Sequence, residues 1–156
     1  MARIYLSSSF RDLEPQRAAV LTRLRAAGHA TMAMEHYPAS AGCPTGRCQT
    51  DAQTCDVYVG LFARRYGFVP PDRMIAITEI EYRHALAAER PMAILLLSDE
   101  ADWPVEWSDR HTGEGAGGQR IERLRRELVA RHPVRHFTTS ADVVGGVASA
   151  LTTLGA

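Results

Sequence analysis

The sequence predicts a three-layer α/β sandwich around a five-stranded parallel sheet. Two observations carry that expectation. The runs Val57–Phe62 and Met92–Leu97 are almost continuously apolar, as strands buried on both faces are. Five strand-like runs also alternate with five helical patterns, which calls for right-handed crossovers and helices on both faces of one sheet. At 156 residues the chain fits a single domain.

Residues 3–6 form a short β-rich run, and the polar stretch Ser7-Ser8-Ser9-Phe10-Arg11-Asp12 leads into a helical pattern. Asp12 is the candidate N-cap and Pro15 suits the first turn. Val20, Leu21 and Leu24 recur at helical spacing until Gly28 stops the helix. Residues 29–34 read as the second strand. Residues 38–46 collect Pro, Gly, Ser and Thr and read as a loop, followed by a short helix over 47–54. After the third strand comes the cationic, aromatic loop Arg64-Arg65-Tyr66-Gly67-Phe68. A helix from Ile77 to Pro91 precedes the fourth strand, and residues 98–118 read as a loop holding Trp103 and Trp107, a lid over a cleft or a cap on the core. Ile121, Leu124, Leu128 and Val129 mark a basic amphipathic helix with a solvated charged face. Residues 134–138 are the fifth strand, and Ser140 is expected to cap a final helix.

The flavodoxin-like strand order 2-1-3-4-5 fits this succession. In such sheets the ligand cleft lies beyond the carboxyl ends of the strands, beside strand 1. Three polar loops, 7–11, 35–37 and 64–67, would converge there.

The helix after Ile77 carries one acidic side chain on its packed side. At 100° per residue Glu81 shares an arc with Ile77, Ala85 and Ala88, whereas Glu79, Arg83 and Arg90 cluster opposite, facing water. A carboxylate on a packed face costs several kcal/mol, to order of magnitude, unless it is paired, so Glu81 calls for a reason. Thr78 and Glu81 also have capping-box spacing, which leaves a purely structural role open. If Glu81 borders a cleft, its partial desolvation should raise its pKa.

Composition narrows the function classes. Lys plus Arg (18) equals Asp plus Glu (18), so no global field draws the chain to nucleic acid or anionic lipid. No apolar run is long enough to span a membrane, and no signal-peptide pattern follows Met1, so a cytoplasmic location is expected. Cys43, Cys48 and Cys55 match no metal-ligand or disulfide spacing and are expected to be reduced. There is no Walker loop, Ser-His-Asp arrangement, metal-ligand cluster or dinucleotide-oxidoreductase glycine pattern.

The combination Ile4-Tyr5-Leu6-Ser7-Ser8-Ser9-Phe10-Arg11-Asp12-Leu13, Met34-Glu35, Cys55-Asp56-Val57-Tyr58-Val59, Arg65-Tyr66-Gly67 and Thr78-Glu79-Ile80-Glu81-Tyr82 resembles a TIR-like family of domains of unknown function. Members often stand at the N-terminus of larger proteins with NTPase or repeat domains. The group is similar to nucleoside 2-deoxyribosyltransferases and to TIR domains that hydrolyse NAD. In both, a glutamate early in a helix is followed four residues later by alanine and then by a basic residue before the next strand. Glu81, Ala85 and Arg90 reproduce that frame.

The resemblance implies cleavage of an N-glycosidic bond in a nucleotide, with NAD as substrate rather than cofactor and with Glu81 as the catalytic carboxylate. It implies substrate contacts from Ser7, Ser8 and Ser9, pyrophosphate neutralisation by Arg11, Arg64 or Arg65, and stacking by Phe10 or Tyr66. Glu35 would share the ribose contacts, and Tyr82 beside Glu81 is counted with the binding residues. The implied role is an effector in antiphage defence or stress signalling that acts when assembled. The rival reading is a non-catalytic module for self-association within a larger signalling protein.

Overall fold

The computed structural model describes residues 1–37, 45–109 and 117–156. Its strands are β1 (Arg3–Ser7), β2 (Ala30–Ala33), β3 (Val57–Phe62), β4 (Met92–Leu97) and β5 (Val134–Phe137). They form one parallel sheet in the order β2-β1-β3-β4-β5, the flavodoxin-like order. Its helices are α1 (Glu14–Ala26), α2 (Thr45–Thr54), α3 (Ile77–Ala87), α4 (Gly117–Arg131) and α5 (Ser140–Leu154). The expected loop over residues 38–46 and part of that over 98–118 lie outside the described residues.

Strand alternation divides the core into two layers. Ile4 and Leu6 of β1 point with Val57, Val59 and Leu61 toward α1 and α5, where Val20, Leu24, Val143 and Val147 meet them. Tyr5, Tyr58, Phe62, Ile94 and Leu96 point the other way, against Tyr82 and Ala85 of α3 and Ile121, Leu124 and Leu128 of α4. Tyr5 and Ser7, two residues apart, therefore share the face of β1 that looks at α3. Ser7 ends β1 opposite Gly60 of β3, at the point where the strand order reverses.

Several local expectations differ from what is observed. Asp12 does not cap α1; Leu13 holds the N-cap position with no side-chain bond, and Pro15 stands in the first turn. β2 is shorter than expected because Met34–His36 tightens into a 3-10 turn. The last helix is capped by Thr139, not Ser140, in a reciprocal capping box with Asp142. Helix α3 ends at Ala87, and Glu89 takes a left-handed backbone conformation (φ 54°) before β4.

Two corrections bear on chemistry. Glu79 does not face water: it is 2% exposed, accepts from Tyr66 Oη, and pairs with Arg83 (2.8 Å) and Arg123 (3.5 Å). The segment after β3 and helix α4 cover the face of α3 that the helical wheel assigns to solvent, so several charges of α4 are internal partners. Arg83 also bridges to Glu127, and Arg125 donates to the carbonyls of Phe62 (3.2 Å), Ala63 (3.1 Å) and Leu97 (2.7 Å), closing the ends of β3 and β4. The cysteines are not all reduced: Cys48 on α2 is disulfide-bonded, while Cys55 is a buried free thiol. Sequence spacing gives no sign of such a link because a disulfide depends on folded proximity.

Candidate functional site

The carboxyl ends of β1, β2 and β3 open into a cleft of about 750 Å³. One wall is Ser8, Ser9, Phe10, Arg11 and Met34; the other is Arg65, Gly67, Phe68, Val69 and Pro70, with Ile77 and Thr78 from the start of α3. Glu81 lies at the floor, 5% exposed.

The capping-box role for Glu81 is absent. Ala76 holds the N-cap position of α3 without a side-chain bond, and the Glu81 carboxylate points instead at the sheet. Its Oε1 accepts from Tyr5 Oη at 2.8 Å and its Oε2 accepts from Ser7 Oγ. Both donors come from one face of β1, the strand at the switch point. No Lys or Arg among the described residues forms a direct ion pair with it. The nearest charge control is indirect: Arg17, 1% exposed, donates to Ser8 Oγ at 2.8 Å and grips Glu35 through Nε (2.7 Å) and Nη2 (2.6 Å).

These surroundings set the ionisation. Burial is the largest influence on Glu81 and, against the pull of Ser7, Tyr5 and Arg17, pushes its pKa up to about 7. Burial also works against the Glu35 carboxylate, but the Arg17 fork outweighs it and holds Glu35 below the usual range. Tyr5, buried beside Glu81, is raised far out of its titration range by desolvation and the adjacent carboxylate, so it is a permanent donor. Behind it, Tyr37 couples to Tyr5 and donates to Asp51 of α2 at 2.7 Å. The floor thus sets a buried carboxylate, its pKa pushed up to about 7, against two hydroxyl donors on β1, with the Arg17–Glu35–Ser8 cluster and the Tyr37–Asp51 pair nearby.

Of the residues singled out from sequence, Glu81, Ser8, Ser9, Phe10, Arg11 and Arg65 come together around the cleft, with Ser7 directly beneath. Glu35 stands behind Ser8, bound to Arg17. Three lie elsewhere. Arg64 donates to the Asp99 carbonyl at 3.0 Å and borders a separate pocket with Ser108 and Arg125. Tyr66 is buried against Glu79. Tyr82 is buried under the sheet, its hydroxyl 2.9 Å from His132 Nε2, because residues 81 and 82 of one helix point about 100° apart. Trp103 packs against the α1/α5 core, and Arg65 sits over the Trp107 ring at 5.6 Å, so neither tryptophan lines the cleft. Sequence reading missed Tyr5 and Arg17. Both left a signal: Tyr5 alternates with Ser7 on β1, and Arg17 lies on the Val20, Leu21, Leu24 stripe of α1.

Fold and cleft together define an α/β domain with a buried acid at the switch point of a parallel sheet. The chain belongs to the family described as a domain of unknown function (DUF4062), which matches residues 3–152. Among solved structures it is similar to the CMP N-glycosidase BcmB of Clostridium botulinum, with a TM-score of 0.56 at 13% identity, covering 94% of this chain and 98% of that one. At that identity the likeness establishes the shared fold. No curated protein matches the chain.

Proposed function

We propose that this protein hydrolyses the N-glycosidic bond of a nucleotide, with Glu81 as the group that meets the anomeric carbon. One observation carries the reading: a carboxylate buried at the floor of an open cleft, held by two hydroxyl donors and, among the described residues, by no direct ion pair. As the bond to the base lengthens, the sugar takes on oxocarbenium-like charge, and a desolvated carboxylate stabilises that charge or attacks it. Tyr5 and Ser7 fix its two oxygens, so little reorganisation is needed when the charge develops. Phe10, Phe68 and Met34 offer apolar surface to a base, and Arg11 and Arg65 offer positive charge to phosphate.

The similarity in fold to a nucleotide N-glycosidase supports this class of reaction. NAD hydrolysis in a defence or stress response, with self-association or a fused NTPase or repeat module controlling it, is the finer proposal, and it rests on the TIR-like resemblance of the sequence. No helix among the described residues is long and apolar enough to cross a membrane. The test is chromatographic detection of free base from NAD and from nucleoside monophosphates, with Glu79→Gln and Glu81→Gln beside the native protein. Release that survives Glu79→Gln and falls about 1,000-fold or more in Glu81→Gln is expected. Equal loss in both variants would remove the distinction on which the assignment rests.

A further inference from the structure

Among the described residues, Arg17 has the largest side chain that is fully removed from solvent, at 1% exposure. From the start of α1 its guanidinium meets three pieces of chain behind one wall of the cleft. Nη1 donates to Ser8 Oγ at 2.8 Å, Nε and Nη2 grip the two oxygens of Glu35 at 2.7 and 2.6 Å, and Cζ lies 5.8 Å from the centre of the Phe10 ring. Ser8 and Phe10 line the cleft, and Glu35 follows Met34, which lines it too. Ser8 Oγ in turn donates to the Ser9 carbonyl at 2.5 Å, so its hydroxyl is committed on both the donor and the acceptor side. Stability alone gives no account of a charge held this deep, because well-packed hydrophobic side chains often serve such a position equally well.

We propose that Arg17 is a positioning residue for base release: its guanidinium ties the loop after β1 to the end of β2 and is the fixed positive charge behind Glu81. The inference rests on the N-glycosidase reading and adds to it a residue that does not line the cleft. Arg17 acts through its neighbours. Fixing Ser8 fixes the chain beside Ser7, whose hydroxyl donates to Glu81. The guanidinium against the Phe10 ring holds that ring at the cleft wall. A planar fork that meets a carboxylate with two N–H groups and a hydroxyl with a third is a task that lysine cannot perform.

The charges that act on Glu81 are few. Tyr5 on β1, Tyr58 on β3 and Tyr37 after β2 lie within electrostatic reach of it, and burial raises all three hydroxyls above their ordinary range, so they stay neutral. The charged groups are Arg17, which favours the ionised form of Glu81, and Glu35, which opposes it. Because the two are joined in one fork, removing one moves the Glu81 ionisation in the opposite direction to removing the other.

The experiment sets Arg17→Met, Arg17→Lys and Glu35→Gln beside the native protein, each at a temperature where a melt shows it fully folded. Two quantities are read: kcat/KM for base release from a nucleotide that the native protein cleaves, and the midpoint of Glu81 ionisation by carbon NMR of carboxyl-labelled protein, with Glu81→Gln assigning the signal. Arg17→Met is expected to lower kcat/KM about 100-fold and to move the midpoint up by about one pH unit. Arg17→Lys keeps the charge and loses the fork, so its midpoint stays close to the native one while kcat/KM remains about 10-fold down. Glu35→Gln moves the midpoint down. A folded Arg17→Met with native kcat/KM, or a Glu81 midpoint that Arg17→Met leaves in place, would make Arg17 merely structural and overturn the proposal. Activity that is lost in Glu81→Gln yet unchanged in Arg17→Met strikes the positioning role alone, whereas a native protein that releases no base from any nucleotide strikes the N-glycosidase reading and the positioning role with it.

Discussion

Glu81 is destabilising in its ionised form, and that has a measurable sign. Its pKa is raised in the folded chain to about 7, so between its ordinary value of 4.5 and that point the native state binds more protons than the unfolded one. Stability from this group is therefore greatest below pH 4.5 and is lost as pH rises through 7. Glu81→Gln should stabilise the protein by about 3 kcal/mol at pH 8 and by almost nothing at pH 4, read from urea midpoints at both values. Arg17 should behave oppositely. Arg17→Met leaves the partly exposed Glu35 and the buried Ser8 without their donor and should cost about 1–3 kcal/mol at neutral pH, again by urea unfolding. Glu81 was legible in the sequence because an acid on an apolar arc contradicts the pattern around it. Arg17 breaks its own pattern in the same way, but its partner Glu35 lies one strand away, and that pairing exists only after β1 and β2 align.

Helices show how far periodicity reaches. The wheel for α3 separates Glu79 from Glu81 correctly but says nothing about what covers each face, so Glu79 reads as solvated until α4 and the segment after β3 are in place. The cap of the last helix was legible to within a residue: Ser140 and Thr139 are both capping types, and only the reciprocal bonds of Thr139 with Asp142 decide between them. Thr139→Ala should lower stability by about 1 kcal/mol without changing any activity, which a paired melt and base-release assay would show. Strand β3 offers a sharper case. A Cβ at Gly60 would lie 2.6 Å from Phe62 Cε2 and 2.9 Å from Tyr58 Cε1, rings held by packing on both sides. Gly60→Ala should cost about 1–3 kcal/mol by overpacking, and because Gly60 pairs with Ser7 it should also weaken any activity, measurable as a fall in kcat at a temperature where the variant is fully folded.

At the scale of the whole molecule, topology gives the carboxylate its meaning. Continuous apolar strands required a parallel sheet, the sheet order placed its switch point beside β1, and that edge is where Ser8, Phe10, Arg65 and Thr78 meet over Glu81. The strand order and the convergence of loops 7–11 and 64–67 at that edge could be read from the chain alone, whereas the place of Thr78 in the cleft wall could not. The sequence could not show which polar loop residues turn into the cleft and which turn away, since Arg64 and Arg65 are adjacent yet border different pockets. Nor could it show the bond at Cys48, on the helix whose Asp51 supports Tyr37 and, through Tyr5, the cleft floor. The most direct test of the central claim is the rate of base release from a cleaved nucleotide, measured from pH 5 to pH 9 in the native protein and in Glu81→Gln. A rate that rises through an ionisation near pH 7 in the native protein and is abolished in Glu81→Gln is predicted. A Glu81→Gln variant that releases base at the native rate, with the same pH dependence, would contradict the account.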